Sequence, residues 1–392
     1  MAIQLSDRVQ RVKPSPTLSM SALAQKLKAE GRDVINLGVG EPDFSTPEHI
    51  KDAGIAAIND NKTGYTAIDG IAELKSAIVN KLKRDNDLTY VPEQVLVSCG
   101  GKQSFYNLCQ AMLNDGDEVI IPAPFWVSYP DMVLLAGGKP VIVSAGQEQN
   151  FKLTAADLEN AITDKTRLFV INSPSNPTGV SYSLDELKAL GDVLVKYPQV
   201  VVATDDMYEH ILFEDGSFSN ILNASPELYD RSIVLNGVSK AYAMTGWRIG
   251  YAAGPADLIK GMKKIQSQST SNPTSISQHA AVAALSAGND CIKPMLVSFK
   301  ERHDYVVKAL NDIDGVECLP SDGTFYSFPN VEGLIARVDG VSNDMELSEK
   351  LLADKEVAMV PGSAFGCPGH IRLSYATSME NLEKAIERIG SL

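Results

Sequence analysis

Six runs of consecutive apolar residues constrain this chain more than any other feature. They are Val95-Leu-Val-Ser98, Glu118-Val-Ile-Ile-Pro122, Pro140-Val-Ile-Val143, Arg167-Leu-Phe-Val-Ile171, Val200-Val-Val-Ala203 and Ser232-Ile-Val-Leu235. None alternates apolar with polar residues, so each needs cover on both faces, as strands of a parallel sheet do. Stretches of helical length separate them, and two of these open with capping-box pairs, Thr154 with Asp157 and Ser183 with Glu186. The pattern predicts an α/β fold whose large domain, residues 45–290, holds a mostly parallel sheet with helices on both faces. After about residue 290 the pattern changes. A long helix over roughly Lys293 to Asp312 leads to short strands at Val316–Leu319, Thr324–Phe328, Val357–Val360 and Ile371–Ser374, with helices near Met345–Lys355 and at the end. These predict a smaller α/β domain over 291–392. Residues 1–44, an arm with a helical pattern from Met20 to Glu30 and a strand at Val34–Leu37, are expected to pack with it.

Charge and cysteine usage exclude several classes of function. With 35 basic and 49 acidic residues in 392, the net charge is −14, which argues against a nucleic-acid or anionic-membrane partner. The five cysteines are widely spaced with no C-x-x-C pair, which reads as free thiols in a reducing compartment. The polar start lacks the apolar core of a signal peptide, and no stretch has the apolar length of a membrane span, so a soluble, cytoplasmic protein is expected. The five histidines share no ligand spacing, and no metal is expected. Gly38-Val-Gly40 could open a dinucleotide loop, but Pro42 follows where a helix should begin.

In open α/β sheets ligands bind beyond the carboxyl ends of the strands. What stands there is Gly100-Gly101-Lys102, Asn172 to Asn176, Asp205 with Tyr208, and Gly237 to Lys240. A lysine at a strand end suits Schiff-base chemistry, because desolvation lowers its pKa and frees the amine. Arg248, eight residues on in a second apolar segment bracketed by Gly246 and Gly250, suits a phosphate. Backbone N–H groups at Gly101 and Lys102, opening a helix, add to the same anion site. Asp205 can keep a pyridine nitrogen protonated, Tyr208 and Asn176 can contact a ring hydroxyl, and Trp126 can stack on the ring. Together these groups point to pyridoxal 5'-phosphate.

The motifs GVGEPDF, GYTAIDGIAELK, SCGGKQ, PAPFWVSYPDM, NSPSNPTG, TDDMYEH, NGVSKAYAMTGWRIGY and HIRLSYATS extend over nearly the whole chain. Together they resemble fold-type I, pyridoxal-phosphate-dependent class I aminotransferases, in particular the bacterial aspartate and aspartate–prephenate subgroup. The resemblance implies that Lys240 is the Schiff-base lysine, Asp205 the pyridine-nitrogen partner, Asn176 and Tyr208 the ring-oxygen contacts, Arg248 the phosphate arginine and Trp126 the stacking ring. It implies that Arg372 clamps the substrate carboxylate beside the Gly40 backbone. It also implies that Tyr65 reaches the phosphate of a neighbouring subunit in a homodimer with shared active sites. Two positions depart from the family's usual pattern: Gly237 stands where a serine is common, leaving Ser239 beside the lysine, and Asp205-Asp206 replaces the commoner Asp-Glu.

The expected activity is transamination of L-aspartate with 2-oxoglutarate. By resemblance, Lys102 reads a side-chain carboxylate, and Thr17 with Lys102 matches positions associated with prephenate recognition. Prephenate, alanine or aromatic amino acids are the alternative substrates. A lyase on the same fold is a second class, betrayed by pyruvate with ammonia or sulfide as products. A regulator using the fold as an effector-binding module is a third class, and the acidic charge speaks against it.

Overall fold

A computed structural model gives the fold. It describes residues 3–14, 16–213 and 218–392, with the backbone alone for 16–18. β1 (Ile35–Asn36) is short and lies outside the main sheet. β2 (Val95–Ser98), β3 (Glu118–Ala123), β4 (Lys139–Ser144), β5 (Thr166–Asn172), β6 (Val201–Asp205), β7 (Ser232–Gly237) and β8 (Gly250–Ala253) form one seven-stranded sheet. Their order is β2-β8-β7-β6-β5-β3-β4, and β3 to β7 are parallel, as expected. β8 alone is reversed against both its neighbours.

The unbroken apolar runs are explained by what lies on either side of the sheet. Val95, Val97, Ile120, Phe169 and Ile171 point into one core, and Leu96, Val119, Ile121, Leu168 and Val170 into a second. Helices Ala72–Asn86 and Ser275–Ser286 close the first core through Leu74, Ile78, Leu82, Ala280 and Ala284. Helices Gly101–Met112 and Ala256–Ser267 close the second through Phe105, Leu108, Ile259 and Met262. Each buried side chain of this size favours folding by about 1.5–3 kcal/mol. Only the edge strand β4 has no fully buried position, mixing half-buried with exposed residues.

The remaining strands are β9 (Tyr326–Ser327), β10 (Val357–Ala358), β11 (Val360–Pro361) and β12 (Ile371–Ser374). β1 pairs in parallel with β10, and β11, β12 and β9 make a three-stranded antiparallel sheet. Three expectations need correction. Val357–Val360 is not one strand: Met359 separates two strands that belong to different sheets. Val316–Leu319, which follows the turn after helix Lys293–Asn311, forms no strand and contributes a single bridge, Glu317 to Asn330. The helix expected from Met20 begins at Pro16, where a proline is tolerated because first-turn N–H groups have no helical partner.

Candidate active site

Reversal of β8 brings the site together. Its first residue, Gly250, pairs with Ser98 and Gly237, the last residues of β2 and β7. Residues leading into β8 therefore arrive at the carboxyl end of the parallel strands. Thr245–Trp247 is one turn of 3-10 helix, and Arg248 follows in left-handed conformation at φ +56°. That turn lays its guanidinium over the start of helix Gly101–Met112. A Cβ on Gly100 would lie 2.3 Å from Arg248 Nη2, and Gly100 has φ +87°, so only glycine fits both demands.

The first-turn N–H groups of Gly101 and Lys102 have no helical acceptor and carry partial positive charge. Arg248 donates to the carbonyls of Thr245 (2.8 Å) and Cys99 (3.3 Å), and it meets no carboxylate among the described residues. Lys102 Nζ lies 5.2 Å from the centre of the Trp126 ring. Burial, then the charge of Arg248, lowers its pKa. Together these positive groups suit an anion.

This corner opens into a cavity of about 510 Å³. Gly40, Gly101, Lys102, Trp126, Asn176, Asp205, Tyr208, Ser239, Lys240, Arg248 and Arg372 all line it. Tyr65 does not; its side chain is 95% exposed. Thr17 falls outside the residues whose side chains are described.

Lys240 Nζ donates to the Gly40 carbonyl at 2.5 Å. Burial lowers its pKa to about 8, helped by the positive charges of Arg372 and Arg248 and opposed by Glu41 and Asp205. Asp205, the last residue of β6, is pushed up to about 6 by burial, against a hydrogen bond from the Tyr129 hydroxyl, the Met207 N–H and the charge of Lys240. Asn172 sets the neighbouring loop, donating to the Asp205 carbonyl (2.9 Å) and accepting from the Asn176 N–H (2.8 Å). Arg372 is 3% exposed, donating to Asn176 Oδ1 at 2.9 Å and to the Gly38 carbonyl at 2.6 Å. Its Nε is buried with no partner among the described residues.

Sequence reasoning missed Tyr129 and Tyr326. Tyr129 follows Trp126 by three residues at a helix start, a spacing that could have flagged it. Tyr326 hides in an apolar run, yet its hydroxyl meets that of Tyr208 at 2.9 Å and its ring lies 4.5 Å from the Arg372 guanidinium carbon. A Cβ on Gly40 would strike the Tyr326 hydroxyl at 2.5 Å. Four cationic side chains (Lys102, Lys240, Arg248 and Arg372) thus line the cavity against two carboxylates, Asp205 and Glu41. The arrangement fits a ligand with separate anionic groups at two ends and a reactive carbon near Lys240. Among the described residues no cluster of three or more His, Cys, Asp or Glu could hold a metal, and no helix is long and apolar enough to cross a membrane.

Comparison with known proteins agrees with this geometry. The chain is 58% identical to an aspartate/prephenate aminotransferase of Nitrosomonas europaea, with both chains covered in full. It is 53% identical to one of Cereibacter sphaeroides, over 98% of this chain and 97% of that one. The aspartate aminotransferase of Rhizobium meliloti superposes with a TM-score of 0.96 at 46% identity, over 100% of this chain and 98% of that one. That of Thermus thermophilus with maleate gives 0.93 at 40%, over 100% of both. Residues 32–389 match the family described as aminotransferase class I and II, and with a pocket of that chemistry at the sheet's carboxyl edge, the chain belongs to that family.

Proposed function

We propose that this aminotransferase uses pyridoxal 5'-phosphate to move the amino group of L-aspartate to 2-oxoglutarate, giving oxaloacetate and L-glutamate. The observation that carries the reading is the buried Arg372, whose Nε lacks a partner, across one cavity from a lysine whose pKa is lowered to about 8. The donor set fits the cofactor: Gly101, Lys102, Ser239 and Arg248 for the phosphate, Asp205 for the ring nitrogen, Asn176 and Tyr208 for the ring oxygen. When bound, pyridoxal phosphate supplies a carbonyl that accepts an amino group and a ring that draws electrons from the substrate Cα.

The chain's own residues do the rest. Near pH 7 about a tenth of Lys240 is neutral, against about three in ten thousand for an ordinary lysine. Its amine can therefore attack a carbonyl, and later take the substrate Cα proton and return it as acid. Arg372 grips the substrate α-carboxylate with paired donors, and Asn176 keeps that fork in plane. The Tyr129 hydroxyl and the Met207 N–H orient the Asp205 carboxylate. Trp126 walls one face of the cavity, with Lys102 above it to read a distal carboxylate.

The names of the relatives favour prephenate as a second acceptor. We assign residues 45–290 to a cofactor-holding domain, and 1–44 with 291–392 to a smaller one; the pairing of β1 with β10 supports this division. We also assign a homodimer in the cytoplasm, in which the exposed Tyr65 reaches the partner's phosphate. The test is product analysis with L-aspartate and either 2-oxoglutarate or prephenate. Oxaloacetate forming beyond one equivalent per active site only when an acceptor is present is the expected result. Pyruvate and ammonia from the amino acid alone would make the protein a lyase instead.

A further inference from the structure

Behind the cavity lies a second, fully buried polar cluster that none of the chemistry above uses. Lys81, on helix Ala72–Asn86, and Glu209 have side chains only 1% and 3% exposed, and they form an ion pair. Lys81 Nζ also donates to Asn86 Oδ1 at 2.7 Å. Glu209 accepts from Asn236 Nδ2 and from Asn86 Nδ2, both at 2.6 Å. Asn236 in turn accepts the N–H of Gly237 at 2.7 Å. Neighbouring groups complete the shell. His210 Nδ1 stands 3.6 Å from Glu209, and its Nε2 lies 3.0 Å from Asp85, which also pairs with Arg84. The Asp206 carboxylate accepts from Thr204 (2.6 Å) and Asn220 (3.0 Å), and the buried Tyr242 and Tyr251 hydroxyls lie in the same region.

A buried ion pair is a poor source of stability, since desolvation of two charges consumes most of their attraction, and apolar replacements are often neutral or better. What this pair does have is a strategic connection. Glu209 sits one residue after Tyr208 and four after Asp205, while Asn236 sits four before Lys240. We propose that the Lys81–Glu209 pair is a positioning device, tying the end of β7 that delivers Lys240 to the turn that carries Asp205 and Tyr208. Lys81 keeps Glu209 charged: burial alone would raise its pKa, yet Lys81, His210 and the Asn86 hydrogen bond hold it below the usual value. A charged Glu209 can accept from Lys81, Asn86 and Asn236 together, which a neutral side chain cannot.

The inference rests on the reading of the cavity as a pyridoxal-phosphate site. Failure of the unmodified protein to bind pyridoxal phosphate would overturn that reading and not this one alone. The test compares three variants, Glu209→Gln, Asn236→Ala and the double variant Lys81→Met with Glu209→Leu. Readouts are unfolding by urea, the dissociation constant for pyridoxal phosphate, and kcat separately from the KM for L-aspartate. Glu209→Gln and Asn236→Ala are expected to weaken cofactor binding by about tenfold and to lower kcat by a similar factor with KM little changed, because Arg372 stands on another strand. The double variant, free of buried charge but leaving the amides of Asn86 and Asn236 without their partners, is expected to fold with somewhat lower stability and still to bind cofactor about tenfold more weakly. Cofactor affinity and kcat returning to normal in the double variant, or unchanged in the first two, would show that the cluster only fills space. Asn236→Ala leaves the ion pair intact and carries the comparison should Glu209→Gln fail to fold.

Discussion

Lys240 should make the cofactor-free protein less stable, and by an amount that pH controls. Its pKa is lowered from 10.5 to about 8, by burial first and then by Arg372. The folded state therefore disfavours the ammonium. Below pH 8 both states carry the proton and the full penalty applies; between pH 8 and 10.5 only the unfolded chain keeps it; above 10.5 the penalty vanishes. Worked through, the cost is about 3 kcal/mol at pH 7, about 2 kcal/mol at pH 9 and under about 1 kcal/mol at pH 10. Lys240→Met removes the charge at similar length, and it also removes the hydrogen bond to Gly40, worth about 1 kcal/mol. The cofactor-free variant should thus be more stable than the parent by about 2 kcal/mol at pH 7, with the advantage gone by pH 10. Urea unfolding of both proteins at matched concentration across pH 7 to 10 measures it. A stability difference that stays level over that range would refute the argument, because it would mean that Lys240 titrates alike in the folded and unfolded chains.

Three further outcomes follow from the same geometry. Arg372→Gln should cut kcat/KM for L-aspartate by about 10²-fold through loss of the paired donors, and should move the alkaline rise in cofactor uptake to higher pH, since a cation that lowers the Lys240 pKa is gone. Gly100→Ala should displace the Arg248 guanidinium from 2.3 Å away and lower cofactor affinity, read by equilibrium titration, by about 10²-fold, while leaving the helix it precedes largely intact by circular dichroism. Tyr326→Phe removes one hydroxyl from the Tyr208 pair and should lower kcat by only about fivefold, with steady-state kinetics as the check.

The sheet was readable because burial on both faces writes itself as unbroken apolar runs, and its ends were readable because Gly, Asn and Asp must stand there. The direction of β8 was not. Its four residues, Gly250-Tyr-Ala-Ala253, carry no mark of direction, and the short turn before it, with Arg248 in left-handed conformation, reverses the chain. Residues with distinctive chemistry at strand ends, such as Asp205 and Lys240, stood out in the sequence, and they line the cavity. Tyr326 and Tyr129 did not stand out, because a buried tyrosine in an apolar stretch looks like packing until its hydroxyl is seen to meet Tyr208 or Asp205. Lys81 escaped for the opposite reason. On helix Ala72–Asn86 it lies among Lys83, Arg84 and Asp85 and reads as one more solvated charge, while in the fold it is almost wholly enclosed.

The central claim, that Lys240 and Arg372 serve one amino-transfer site, is tested most directly by the absorbance of the cofactor-free protein. Pyridoxal phosphate is added first, then L-aspartate without any 2-oxo acid. A yellow species that forms with the parent protein, fails to form with Lys240→Ala, and loses its colour as oxaloacetate is released is the predicted result. A parent protein that stays colourless with pyridoxal phosphate, or a yellow one in Lys240→Ala that still converts aspartate, would contradict the account.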